Sequence, residues 1–246
     1  MARFNLGVDI EKTVLAITLS LSLFGCAGPL KQQARTVRVA PVSEQYELTE
    51  RLEGKAYVLL AEASTGQEQH RYVVSDSLTR AIKGYGKDSG VSPFVTLGGK
   101  SDKQAISNQN LELLSFTDLA NTLNEKGISQ RYAEMRDFHR KNGMFRKSDL
   151  EFLGKEIGVN YFIQPCLLDV RRWGTSRFTL FGLKIINTQI ITIVVSMEIW
   201  DAKTSHKVFS ATSDVTVAGD TIAENPISME QAFERAWFGI IEQLPK

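Results

Sequence analysis

Three long β-rich runs follow one another in the second half of the chain: "VNYFIQPCLLDVRRW", "TQIITIVVSMEIWD" and "HKVFSATSDVTVAG". Runs this rich in Val, Ile, Thr and aromatic residues read as strands. The last two are joined by "DAKTS", a linker of hairpin length, so they are expected to lie antiparallel. Whatever this chain folds into has to cover a large sheet.

The covering elements are legible as helical spacings. In the closing "SMEQAFERAWFGIIEQL", Met229, Ala232, Phe233, Ala236, Trp237, Ile240, Ile241 and Leu244 form one regular stripe, the pattern of a helix packed on its own sheet. Upstream, Tyr57 to Leu60 in "KAYVLLAEA" make an apolar run of strand length. Val74, Leu78, Ala81, Ile82 and Tyr85 then fall at helical spacing, ended by Gly84 and Gly86. A second strand, "LELL", runs into "SFTDLANTLNEKG", where Ser115 can cap a helix with Asp118 three residues on and Gly127 can supply a left-handed stop. The polar "SQRYAEMRDFHRKNG" has helical character. "SDLEFLGKEIG" offers a capping box from Ser148 and Glu151 with Leu150, Leu153 and Ile157 on one face. The order reads β-α-β-α-α-β-β-β-α, and it predicts an α/β fold: a mixed β-sheet with packed helices in a two- or three-layer sandwich.

The first 25 residues are a different kind of sequence. "VLAITLSLSLF", Val14 to Phe24, is shorter than the ~20 apolar residues a membrane-spanning helix needs. It fits the apolar core of a secretory signal, preceded by Arg3 and Lys12, whose charges are offset by Asp9 and Glu11. Leu23-Phe24-Gly25 before Cys26 resembles the bacterial lipobox, with Leu23 and Gly25 matching and Phe24 bulkier than the pattern prefers. That resemblance implies that Cys26 is the lipidation site, carrying a covalent lipid with palmitate, and that Leu23, Phe24 and Gly25 are the signal-peptidase recognition residues. The competing role, a disulfide to Cys166, requires Cα atoms within about 7 Å, a poor fit for a residue at the head of a flexible tail. Cys166 then reads as an unpaired thiol in an apolar strand. The residue after Cys26 is Ala27 rather than Asp, which by the same resemblance implies the periplasmic face of the outer membrane. We divide the chain into a signal peptide (1–25), a lipidated N-terminus and polar tether (26–54) and an α/β domain (55–246). The tether includes one short strand at "TVRVAPV". About twenty such residues can hold a domain tens of Å from a membrane.

Little in the sequence concentrates chemistry. The full chain has 29 basic and 28 acidic residues and a net charge of +1, with no basic stripe, so nucleic acid is not an expected partner. Gly99-Lys100-Ser101 matches the tail of a phosphate-binding loop, but the required glycine five residues earlier is Phe94. His70, His139 and His206 stand apart from one another and from cysteine pairs, in no metal-ligand spacing. No G-x-S-x-G elbow occurs. The expectation is a non-enzyme, with no metal and no cofactor beyond the lipid on Cys26. Arg171-Arg172 reads as the solvated end of a strand, its arginine stems lying over the sheet edge.

The segment "WGTSRFTLFGLKIINTQ", residues 173–189, is apolar and aromatic around a Gly-Thr-Ser turn. The plainer reading is a hairpin folded back on the core, since monomers rarely expose apolar patches of this size. The sharper one is a protruding hairpin that contacts a neighbouring subunit or the membrane through Trp173, Phe178, Leu180, Phe181, Leu183, Ile185 and Ile186.

Three stretches resemble the envelope lipoprotein superfamily that includes the curli secretion channel lipoprotein and an outer-membrane activator of a penicillin-binding protein. "LELLSFTDLANTLNEKGISQ" is similar to the family's strand–helix unit, and "LGKEIGVNYFIQPCLLDV" to its helix, glycine turn and strand. "VSMEIWDAKTSHKVFSATSDVTV" is similar to its closing hairpin, with Asp201 before the turn and Thr204 in it. Two departures stand at Gln164-Pro165, where a small residue is usual, and at Ser205, where Gly is customary. Only "SDVTVAGDTIAENP" precedes the terminal helix, so a second membrane hairpin of the channel type has no room. The resemblance implies a scaffold or accessory subunit of an envelope secretion, export or assembly machine, with other envelope proteins as partners and a homo-oligomer as its form. The alternative it carries is an activator of a peptidoglycan synthase, which would need a long tether, whereas residues 27–54 hold only Pro29 and Pro41.

Overall fold

The computed structural model describes residues 31–84, 110–180, 183–222 and 228–245, with side chains placed except at 31–33, 175–180, 183–187 and 220–222. Seven strands form one mixed sheet: β1 (Lys31–Val39), β2 (Gly54–Val58), β3 (Glu62–Ala63), β4 (Leu111–Leu114), β5 (Tyr161–Leu180), β6 (Leu183–Asp201) and β7 (Lys207–Ile222). Their spatial order is β1-β7-β6-β5-β2-β4, with β3 also on β5. The four long strands are antiparallel, whereas β2 runs parallel to β4 and β5, and β3 runs parallel to β5. Five helices are described: α1 (Arg71–Gly84), α2 (Phe116–Glu125), α3 (Ser129–Asn142), α4 (Lys147–Ile157) and α5 (Met229–Ile241). The expected α/β class with a mixed sheet and packed helices is what the chain adopts.

Strand alternation divides the core in two. The rung Val58–Ile163–Ile199–Phe209 faces α1 and α5, and the adjacent rung Tyr57–Phe162–Trp200 faces α2, α3 and α4. The predicted stripes supply the covering faces: Val74, Leu78, Ala81 and Ile82 of α1 are buried, as are Ala232, Phe233, Ala236, Trp237, Ile240 and Ile241 of α5. Trp237 lies fully buried between these helices, its Nε1 donating to Ser77 Oγ at 3.0 Å. The α2–α4 layer covers only one end of its face. Further along, that face carries half-buried Thr192, Ser196, Thr212 and Thr216, with the Thr192 and Thr216 hydroxyls 2.9 Å apart. The sandwich therefore has three layers at one end and two at the other.

Three differences from the sequence reading stand out. Residues 31–39, part of the stretch read as a polar tether with one short strand at 36–42, form a nine-residue edge strand on β7. β1 packs against α5 and presents an inward apolar residue to it. Val37 serves that role, close under Gly239 of α5, where an added Cβ would lie 2.9 Å from Val37 Cγ2. Leu48 and Leu52 continue the folded part, packed into the same core. Second, the segment of helical character forms a full helix, Ser129–Asn142, so three helices stand where the predicted order counts two, and the two-residue β3 is additional. Third, Ser115 and Asp118 do form a capping box, but Ser148 does not cap α4, whose N-cap is Arg146 without a side-chain bond. The β6–β7 hairpin is as expected: its turn is fastened by Asp201 Oδ1, which accepts from the N–H groups of Lys203 (2.8 Å) and Thr204 (2.7 Å), and Ser205 occupies a left-handed conformation (φ 63°) in the turn position where glycine is customary.

Candidate functional site

Two places draw functional side chains together. The first lies under the end of α3. His139, 7 % exposed, has Nδ1 3.0 Å from Glu62 Oε1 of β3 and Nε2 3.3 Å from Glu198 Oε2 of β6. Ionised carboxylates only accept, so both ring nitrogens donate and the ring is an imidazolium. Burial works against that charge, but the hydrogen bonds to Glu198 and Glu62 and their negative charges outweigh it, and the His139 pKa is raised. Burial would likewise raise both glutamates. The His139 bonds, with Arg136 beside Glu62 and Lys207 beside Glu198, bring both below the ordinary value. The ring stacks on Phe145 (4.1 Å between centroids), and Trp200 Nε1 donates to Glu198 Oε2 at 3.0 Å.

This cluster is closed on itself. Neither ring nitrogen has a lone pair to offer as a base, and the aromatic walls shield it from solvent. Cys166, the nearby free thiol, is pushed up to about 11 by burial and the Glu62 charge, so it stays protonated at neutral pH and is a poor nucleophile. What the arrangement does is fasten α3 across β3 and β6. Among the described residues, no group of three or more His, Cys, Asp or Glu is placed to hold a metal ion.

The second place is the two-layer end of the sheet. Trp173, Ile190, Ala218 and Lys31 form one rung across β5, β6, β7 and β1. Beyond it β5 and β6 stay paired out to Leu180 and Leu183, and β6 and β7 out to Ile186 and Ile222. The register sets Phe178 opposite Ile186 and Leu180 opposite Leu183, with Ile185 at a register shift. Trp173 is 46 % exposed. The segment 173–189 thus forms the end of a long hairpin continuing the sheet, with no fold-back in its strand pairing. Phe181 lies outside the described residues, as do Leu23, Phe24, Gly25, Cys26 and the Gly99–Ser101 stretch. Arg171 pairs with Asp169 and Arg172 donates to Gln189 at 2.9 Å; both side chains are exposed, but they stand within β5, which runs on to Leu180, and not at the end of a strand. Among the described residues no helix is long and apolar enough to cross a membrane.

At the opposite end a shallow cleft of about 420 Å³ is lined by residues including Tyr46, Glu47, Arg51, Tyr161, Asp201 and Thr204. There His206 stacks on Tyr46, 3.5 Å between ring centroids, instead of standing free in solvent. The sequence reading treated the three histidines as unrelated to any cluster and missed Glu62 and Glu198. The partners of His139 lie 77 and 59 residues away, beyond any local motif. The available signal was Glu198 itself, a charge inside the apolar run "IVVSMEIW".

No protein-family model matches the chain, and no curated protein sequence does. Solved structures with a similar course of the chain include two PelC dodecamers from Paraburkholderia phytofirmans, one of them a substituted variant. The variant has 10 % identity and a TM-score of 0.41, covering 86 % of this chain and 98 % of its own. The second has 11 % identity and a TM-score of 0.36, covering 86 % and 97 %. The lipoprotein GNA1162 from Neisseria meningitidis has 8 % identity and a TM-score of 0.33, covering 77 % and 96 %.

Proposed function

We propose that this chain is a lipoprotein anchored through Cys26 to the periplasmic face of the outer membrane, acting without catalysis as a scaffold or accessory subunit of an envelope secretion, export or assembly machine. The observation that carries the reading is the apolar run ending in Leu23-Phe24-Gly25-Cys26 at the head of a folded domain. The closed His139 cluster, whose charged groups satisfy one another, agrees with a structural role for the domain. The same reading has the chain working with other envelope proteins and as a homo-oligomer. With β1 starting at Lys31, the leash between lipid and domain shrinks to residues 27–30. That weighs against the peptidoglycan-synthase activator, which must reach across the periplasm.

The test is metabolic labelling with palmitate of the wild-type chain and Cys26→Ala, followed by mass measurement of the purified native assembly and envelope cross-linking. Label in the wild type alone, with an assembly larger than one chain, is the expected result. Equal labelling of both chains sinks the anchor, and a strict monomer without envelope partners sinks the scaffold role.

A further inference from the structure

We infer that the outward end of the β5–β6–β7 sheet rests on the anionic headgroups of the membrane that holds the lipid, with the β5–β6 hairpin tip entering the bilayer interface. The inference rests on the Cys26 anchor of the preceding reading and fixes which end of the domain meets the membrane. β1 enters the sheet with Lys31 on the Trp173–Ile190–Ala218 rung and runs from there toward Val39, which lies opposite Ala211. Its N-terminal end therefore points the same way as the hairpin tip. Cys26 lies five Cα steps before Lys31, so it can stand at most about 17 Å from it. Measured from the same rung, seven residues of β6 separate Ile190 from Leu183, which at about 3.3 Å each carries the tip about 23 Å outward. With the strands upright on the bilayer, a lipid on Cys26 brings the hairpin tip to the bilayer surface or several Å past it. That is the depth at which interfacial segments sit.

The residues at that end suit such a contact. The tip pairs Phe178 with Ile186 and Leu180 with Leu183, and Trp173 stands exposed at its base. On the rungs from Val170–Ile193 outward, the cations are Lys31, Arg35, Arg171, Arg172, Arg177 and Lys184, against Asp220 as the sole carboxylate in the sequence of those strand segments. Arg35 pairs with Glu242 and Arg171 with Asp169, and the other four still outnumber Asp220. Apolar residues interspersed with cations along these strand segments match an anionic surface with an apolar interior. The α2–α4 layer, the 420 Å³ cleft and the β6–β7 turn lie at the other end and face away from the bilayer.

The experiment uses the acylated full chain in a Cys166→Ala background. An environment-sensitive fluorophore is attached at Lys184→Cys or at Thr204→Cys, in vesicles of phosphatidylethanolamine and phosphatidylglycerol containing a lipid-borne quencher near the headgroups. The expected result is a blue shift and loss of intensity at position 184 and neither at 204, with weaker quenching in phosphatidylcholine vesicles. Quenching at 204 but not 184, or at neither in a chain that carries palmitate, overturns the inference while leaving the anchor standing. Equal quenching in phosphatidylcholine overturns the assignment to anionic headgroups. A blue shift at 184 without bilayer quenching, accompanied by cross-linking between copies, assigns the tip to a neighbouring subunit and also overturns it. A wild-type chain without palmitate removes the anchor, and the inference falls with it.

Discussion

Replacing His139 by Leu should cost this domain stability in a way that depends on pH. In the wild type the imidazolium makes hydrogen bonds of 3.0 and 3.3 Å to two carboxylates, and hydrogen bonds to charged groups contribute about 1.5–3 kcal/mol each. Leu refills the space beside Phe145 and Trp200. Glu62 keeps Arg136 at 3.7 Å, and Glu198 keeps Lys207 at 3.0 Å. Because those cations remain, the net loss should be about 2–4 kcal/mol rather than the full sum. The folded-state pKa of His139 is raised above its ordinary 6.5, so its contribution is fully present below 6.5 and disappears as the pH rises through the folded value. The glutamates are lowered from 4.5, so theirs is present above 4.5 and disappears as the pH falls through their folded values. Urea unfolding followed by circular dichroism, from mildly acidic to alkaline pH, should show the largest gap between wild type and His139→Leu on the acidic side of 6.5, narrowing at alkaline pH. Glu62→Gln, which removes one of the facing charges, should move the alkaline decline of the His139-bearing chain to lower pH. A gap that stays constant across the range, or a wild type that gains stability as the pH rises past 6.5, would refute the assignment of an imidazolium at this position.

Three further outcomes can be checked on the same preparations. Ser205→Gly should raise stability by about 1 kcal/mol in urea unfolding, because Ser205 holds a left-handed φ of 63° that glycine adopts without penalty. Gly239→Val should lower it by about 2 kcal/mol and loosen β1, visible as faster hydrogen exchange there, since even a Cβ would meet Val37 Cγ2 at 2.9 Å and Ser213 Oγ at 3.2 Å. Cys166, with its thiol pushed up to about 11, should react with a thiol-specific reagent at neutral pH far more slowly in the native chain than after denaturation.

What the sequence made legible followed from periodicity. The α1 and α5 stripes, the Ser115–Asp118 box and the β6–β7 hairpin each announce themselves within a dozen or so residues, and each is present. What it hid depends on distant partners. β1 looks like a polar tether because "KQQARTVRV" has little apolar rhythm; its place is set by hydrogen bonds to β7, some 180 residues away, and by the space Gly239 leaves. The His139 cluster joins three elements through single side chains, each unremarkable in its own neighbourhood. The hairpin of residues 173–189 was legible as apolar and turned. Its direction relative to the N-terminus was not, because that follows from the β1–β7 register alone.

That register also sets how the molecule bears load. A pull applied to the chain ahead of Lys31, along the axis of β1, loads that strand against β7. The rungs from Lys31–Ala218 to Val39–Ala211 are then strained sideways and together, instead of opening one after another like a zip. A chain pulled from that side thus meets the force with its whole β1–β7 ladder at once.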